Sequence, residues 1–288
     1  MKEFSKHFTY LDTRELIEYY AVFNGYEDLD KLKLYDSLMD NIEINILKNY
    51  SKLKHLFIYS EDEKTQNDIE TILFRLSIGN RKIYSIYKDD IAHFQGLNIY
   101  QLLFSKNIIF KEPSREKPLK HPLKKEFRGY KIEDKIKFTK GFYRFWFTFV
   151  APYKEEIEKG EFSNSLNDMA QNMDKFISFT FELFSNNLIK KDFNIVESGS
   201  YWDKHIELDV LAKTKDGKLI AGEAKYKNQK VSKNILNKLI KKCELANLKV
   251  DYYALFSKSG FSKELLKLKD KNVLLYDIQS FKRLISAK

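Results

Sequence analysis

Ile206–Lys227, IELDVLAKTKDGKLIAGEAKYK, is the stretch on which the reading of this chain turns. It reads as two strand-like segments about a Lys-Asp-Gly turn, with Glu207 and Asp209 on the first and Glu223 and Lys225 on the second. Side chains alternate across a strand with a period of two, so the length of the turn decides which charges share a face. A two-residue turn at Asp216-Gly217 sets Asp209 against Ala224 and sends Glu223 to the opposite side of the sheet. A three-residue turn, Lys215-Asp216-Gly217 with Gly217 left-handed, shifts the register by one. Thr214 then pairs with Lys218, Asp209 with Glu223 and Glu207 with Lys225. The three-residue turn is the expectation.

In that register one face carries three carboxylates and an ammonium. Directly opposed carboxylates repel unless something positive sits between them. Hard oxygen ligands from Asp209 and Glu223, completed by waters and phosphate oxygens, suit Mg²⁺ or Mn²⁺. The run Leu219 to Ala224 is nearly all small or apolar, as in a central strand buried on both faces, where charges are costly. The competing reading is a solvated surface hairpin, which the charge pattern alone does not exclude. His205 has the wrong strand parity for the acidic face and reads as structural.

The bulk numbers set the frame. A chain of 288 residues with 43% hydrophobic and 15% aromatic content supports packed cores and two or three domains rather than disorder. With 51 Lys and Arg against 41 Asp and Glu, the net charge of +10 favours a polyanionic partner, through local rather than general basicity. The single cysteine, Cys243, cannot form an internal disulfide and falls on the apolar stripe Ile235, Leu236, Leu239, Ile240, so it reads as a buried thiol in a reducing compartment. No stretch approaches the ~18 apolar residues needed to cross a bilayer. The N-terminus, MKEFSKHFTY, lacks the apolar core of a signal peptide, and a cytoplasmic protein with no membrane association is expected. A Gly-rich phosphate loop of the G-x-x-x-x-G-K-[ST] type is missing, which argues against intrinsic ATPase activity.

Along the chain, residues 1–60 read as a helical N-terminal region, with apolar-periodic runs through Ile17, Tyr20 and Phe23 and through Leu38, Ile42, Ile44 and Leu47. Residues 61–140 have the rhythm of a winged helix-turn-helix. A helix over about 65–78, capped at Thr65 or Asn67, stops at Gly79-Asn80, and a short helix through Asp89, Ile91 and Phe94 turns at Gly96. A third helix, Asn98 to Lys106, precedes a strand at 108–112, and 128–134 closes the wing. The basic loop between the strands holds three of the four prolines, with Lys117, Lys120, Lys124, Lys125 and Arg128 as phosphate contacts. Asn98 and Gln101 open the recognition helix and are the candidates for reading base edges. Residues 141–164 form an aromatic linker helix whose rings read as buried core, with base stacking beside Arg144 as the alternative. From 165 to 288 a long helix, three strands and then alternating helices and strands predict an α/β domain with a central mixed sheet.

Asp209, then Glu223-Ala224-Lys225 on the next strand and a helix at 232–247, resembles the PD-(D/E)xK restriction-endonuclease-like core. More closely, YKIEDKIKFTKGFYRFWFTFVAPYKEEIEKG, GSYWDKHIELDVLA with LIAGEAKY, and YALFSKSGFSKEL resemble the uncharacterised region that follows the ATPase domain in archaeal-type AAA ATPases. The ATPase half is missing here, and Leu208 stands where the motif's name has proline near the acid. The resemblance implies a multidomain α+β and α/β protein, a winged helix before a nuclease-like domain. It further implies metal-dependent cleavage of phosphodiester bonds, with double-stranded DNA the expected substrate and RNA left open. Asp209, Glu223 and the Ala224 carbonyl would hold Mg²⁺ or Mn²⁺, Lys225 would orient water or stabilise phosphorane charge, and Glu182 would supply the first-helix acid. Glu207 is an auxiliary candidate for tuning Lys225. Two other functions stay open: a catalytically silent DNA-binding regulator, and a docking subunit for a separate ATPase. Double-strand cutting by a one-site enzyme would call for a homodimer.

Overall fold

A computed structural model describes residues 1–83, 90–115, 132–268 and 270–285. Two compact units divide the chain. One comprises Glu18–Glu112 and Asp134–Phe176; the other comprises Met1–Ile17, the described part of Pro113–Glu133, and Ile177–Lys288 as far as it is described. The division differs from the four expected segments: the first 17 residues go with the sheet, and the aromatic helix belongs wholly to the helical unit.

The helical unit opens with α1 (Thr13–Phe23), which is shared between the units, and α2 (Leu38–Ile42), which continues as a π-helical turn, Glu43–Leu47. Then comes α3 (Glu63–Ser77), capped by Asp62 rather than by Thr65 or Asn67: the Asp62 carboxylate accepts the Thr65 N–H at 2.8 Å. It ends where expected, with Asn80 N–H returned to the Arg75 carbonyl across a left-handed Gly79. Gly96 does not turn the chain. It lies buried inside one continuous helix, α4 (His93–Ser105), so the expected separate helices merge, and Asp89 lies outside the described residues. β1 (Ile109–Glu112) pairs antiparallel with β2 (Lys135–Phe138); of the strand expected at 128–134, residues 128–131 lie outside the described residues and 132–134 are not strand.

Next, α5 (Gly141–Phe145) runs into a π-helical turn, Trp146–Val150. The extra residue per turn rotates successive rings around the axis, so Phe142, Phe145, Trp146, Phe147 and Phe149 are all buried. Trp146 stacks on Phe57 at 4.2 Å and on Tyr50 at 5.4 Å. Arg144 gives its guanidinium to the Ser77 and Phe176 carbonyls and lies 4.3 Å from the Phe176 ring centre. The aromatic run is therefore core, and Arg144 ties the C-terminal end of α3 to the Phe176 carbonyl, in the middle of the helix Ser163–Asp192.

The sheet unit takes the C-terminal part of α6 (Ser163–Asp192), followed by β3 (Ile195–Trp202), β4 (Glu207–Thr214), β5 (Leu219–Lys225), α7 (Lys233–Leu245), β6 (Tyr252–Ser257), α8 (Lys263–Leu266) and β7 (Val273–Asp277). Strand order is sequential: β3-β4-β5 antiparallel, then β5-β6-β7 parallel, a mixed sheet of five strands. One face packs Leu211, Ala221 and Leu255 against Leu236, Leu239 and Cys243 of α7. On the other, Gly222 lies so close to Val210 and Phe256 that a Cβ would meet them at 3.0 and 3.1 Å. Phe281 sits between Phe256 and Phe181 of α6 there.

The turn has three residues. Thr214 N–H bonds the Lys218 carbonyl at 3.0 Å, Gly217 N–H returns to Thr214, and Gly217 is left-handed at φ +85°. The ladder then runs Lys213–Leu219, Ala212–Ile220, Leu211–Ala221 and Val210–Gly222, in the expected register. Among the described residues no helix is long and apolar enough to cross a membrane.

Candidate functional site

The β4–β5 ladder stops at Val210–Gly222, one step short of Asp209 and Glu223. The reason lies on the other edge of β4. Gly199 pairs with Leu211 and Tyr201 with Leu208, so Asp209 and Val210 together face the single residue Ser200. That is a β-bulge, which turns the bulged side chains out of the regular alternation. It explains why Leu208 and Leu211, three apart, both join the α7-side core. In an unbroken ladder Ala224 N–H would go to the Leu208 carbonyl. Here it goes to the Asp209 carboxylate, at 2.8 Å.

Asn186 of α6 holds the bulge from the other side. Its Nδ2 donates to the Asp209 carbonyl at 2.9 Å and to the Glu182 carbonyl at 3.2 Å. The bulge is thus tied to the helix that carries Glu182, which is half-buried. Burial first, then the neighbouring Glu182 and Glu223 carboxylates, push the Asp209 carboxyl up to about 8, against the weaker pull of the Ala224 N–H and Lys225. Two neighbouring acids therefore act on Asp209 at this point of the fold.

Glu223 is buried, its side chain only 11% exposed, and both its oxygens are engaged. Lys225 Nζ lies 2.7 Å from Oε1, and Lys242 Nζ, from α7, lies 2.8 Å from Oε2. Burial favours the neutral amine of Lys225. Glu223, with Asp209 and Glu182 behind it, more than offsets this and raises Lys225 above its ordinary value. It is an ammonium, suited to stabilising charge rather than to accepting a proton.

The remaining sequence candidates sort plainly. Ala224 lies on β5 between Glu223 and Lys225, alongside Phe256 of β6. Glu207 is exposed and pairs with Trp202 on the β3 side, so the expected Glu207–Lys225 rung does not form in the ladder. His205 is exposed in the loop before β4, its N–H held by Asp203. Cys243 is buried, and burial pushes its thiol up to about 12, which makes it inert. Asn98 and Gln101 are both exposed on α4. Lys117, Lys120, Lys124, Lys125 and Arg128 lie outside the described residues.

Sequence reasoning missed Lys242 and Asn186. The signal for Lys242 was present, because it sits three residues after Leu239 and four before Ala246, on the apolar stripe of α7. A half-buried lysine at the edge of an apolar stripe lies within reach of a buried acid. Asn186 had no comparable signal, since its role depends on a bulge that spacing does not announce.

A divalent cation fits this set in one respect and meets an obstacle in another. Burial, and then the acids around it, hold Asp209 protonated, and a positive ion between hard oxygen donors would offset both. Both oxygens of Glu223 are already taken by lysines, which would have to yield. Among the described residues, no three His, Cys, Asp or Glu side chains close on one point as a metal cage. The fit is to a site of two carboxylates and a backbone carbonyl.

Residues 146–238 match the DUF234 family, described as archaeal and bacterial proteins of unknown function. The matched stretch includes Glu182, Asn186, Asp209, Glu223 and Lys225 and stops before Lys242. No curated protein gave a significant match. No solved structure did either.

Proposed function

We propose that the protein is a metal-dependent nuclease of the PD-(D/E)xK type, acting on phosphodiester bonds of DNA. One observation supports this most: the β4 bulge places the Asp209 carboxylate on the Ala224 N–H, between Glu223 and Lys225 of the next strand and within electrostatic reach of Glu182. A surface hairpin has no reason to gather acids around a carboxyl whose pKa is raised by burial and by those neighbours. Replacing such groups by apolar residues would commonly favour stability, so their presence argues for chemistry.

Asp209 and Glu223, with the Ala224 carbonyl, are the residues that would hold Mg²⁺ or Mn²⁺. The cation would supply charge neutralisation at the scissile phosphate and a more acidic water. The Ala224 N–H fixes which Asp209 oxygen is left for ligation. Lys225, kept as an ammonium, would stabilise the charge that builds on the phosphoryl oxygens. Glu182 would act through water or assist a second cation. A winged helix formed by α3, α4 and the β1–β2 hairpin, with Asn98 and Gln101 exposed, would engage the duplex together with the basic loop.

A second reading, a catalytically silent nucleic-acid-binding protein, draws support from the two lysines that occupy Glu223. One assay separates the two. Purified protein is incubated with DNA and Mg²⁺ or Mn²⁺, beside Glu223→Ala and Lys225→Ala. The nuclease reading expects metal-dependent cleavage that falls by at least about a hundredfold in each variant. No cleavage by the unaltered protein, or equal cleavage by the variants, would refute it. Binding that survives in EDTA without cleavage would leave the silent binder.

A further inference from the structure

We propose that Lys242 is a phosphate-binding residue of this site, and that with Lys225 it grips a substrate oxyanion in the place held here by the Glu223 carboxylate. The inference rests on the nuclease reading of the site and adds to it a residue on another element. Two ammonium groups, 2.7 and 2.8 Å from the two oxygens of one buried carboxylate, form a pincer for a bidentate oxyanion. The two non-bridging oxygens of a phosphodiester offer the same pair of acceptors.

The pincer exceeds what Glu223 alone requires. Lys225 already neutralises that carboxylate, two residues along the same strand. Lys242 comes from α7, at a stripe position flanked by the buried Leu239, Cys243 and Ala246. Its side chain is 33% exposed, so it keeps part of its hydration, yet it gives up rotamer freedom for a partner that is already paired. Once Glu223 turns to a cation, both ammoniums are left beside the reacting position, and a substrate phosphate restores their counter-charge. A third lysine stands at the same strand ends: Lys258, whose N–H bonds the Lys225 carbonyl at 3.1 Å, places its ammonium 4.4 Å from the Tyr226 ring centre. The C-terminal ends of parallel strands are where open α/β sheets bind their ligands.

The test removes the competing anion without any metal. In EDTA at low salt, a short fluorescent DNA duplex and an RNA strand of the same sequence are titrated with the full chain. Glu223→Gln is expected to bind at least one of them about fivefold more tightly than the unaltered protein, because both ammoniums are freed. Adding Lys242→Met is expected to abolish that gain, and Lys242→Arg to retain it; Lys242→Gln replaces the methionine variant if the latter melts early. If Glu223→Gln gains nothing with either strand, or if its gain survives the loss of the Lys242 charge, the proposal is overturned. Neither outcome depends on turnover, so a failed cleavage assay and a failed Lys242 proposal are read separately.

Discussion

Asp209 shows what the site costs the fold. Burial beside Glu182 and Glu223 keeps its carboxyl protonated up to about pH 8, whereas an unfolded chain releases that proton near its ordinary value of 3.8. The raised value means that this group's contribution to stability is fully present below about pH 4 and is lost as pH rises through about 8. Asp209→Asn keeps an acceptor for the Ala224 N–H and removes the ionisation. At pH 8 it is therefore expected to stabilise the metal-free protein by on the order of 2 kcal/mol, a rise of roughly 5 °C in Tm. Melting curves in EDTA at pH 4.5 and pH 8 check this, with the gain confined to the higher pH. A variant less stable at both would mean that Asp209 is merely a well-placed structural acid. Metal affinity should move the other way with pH, strengthening up to about pH 8 as Asp209 gives up its proton.

At the scale of elements, the bulge and its supports position the acid. The absence of a Cβ at Gly222 lets Val210 and Phe256 close in beside the bulge. Gly222→Ala would push them apart by a few tenths of an ångström and is expected to cost about 1–3 kcal/mol, measured by urea unfolding. Asn186→Leu is expected to leave the fold standing but to weaken Mn²⁺ binding, because it removes the hydrogen bond that ties the Asp209 carbonyl to α6. Elements with strong periodicity were legible from sequence: the long helix, the three-residue turn, the β-α-β succession and the buried aromatic run. The bulge was not, because a one-residue slip in pairing leaves the alternation of Leu208, Val210 and Ala212 looking regular. The wing pairing lies beyond the described end of the expected strand, 132–134, for a related reason. RGYKIED has the alternation of a strand, yet the pairing falls on Lys135–Phe138, where Ile136 is buried. Gly96 was misread as a turn, although buried glycine within a helix is tolerated where neighbours pack closely.

Over the whole molecule, a net charge of +10 and the basic loop lead us to expect polyanion binding, under direct electrostatic control. Exchanging Lys117, Lys120, Lys124, Lys125 and Arg128 for serine is expected to weaken DNA binding similarly for all sequences. The slope of log K against log salt should fall by about 0.9 for each phosphate that is no longer neutralised. An unchanged slope would remove the loop from the binding surface. On the proposed reading that property is separable from the chemistry, which would depend on Asp209 and Glu223 accepting a cation in place of Lys225 and Lys242. A crystal soaked in Mn²⁺ and measured for anomalous scattering tests that point most directly. The predicted result is a peak shared by the Asp209 and Glu223 carboxylates, with at least one lysine withdrawn from Glu223 and no peak in Asp209→Asn. Millimolar Mn²⁺ with no such peak, and both lysines still on Glu223, would contradict the metal centre and the nuclease built on it.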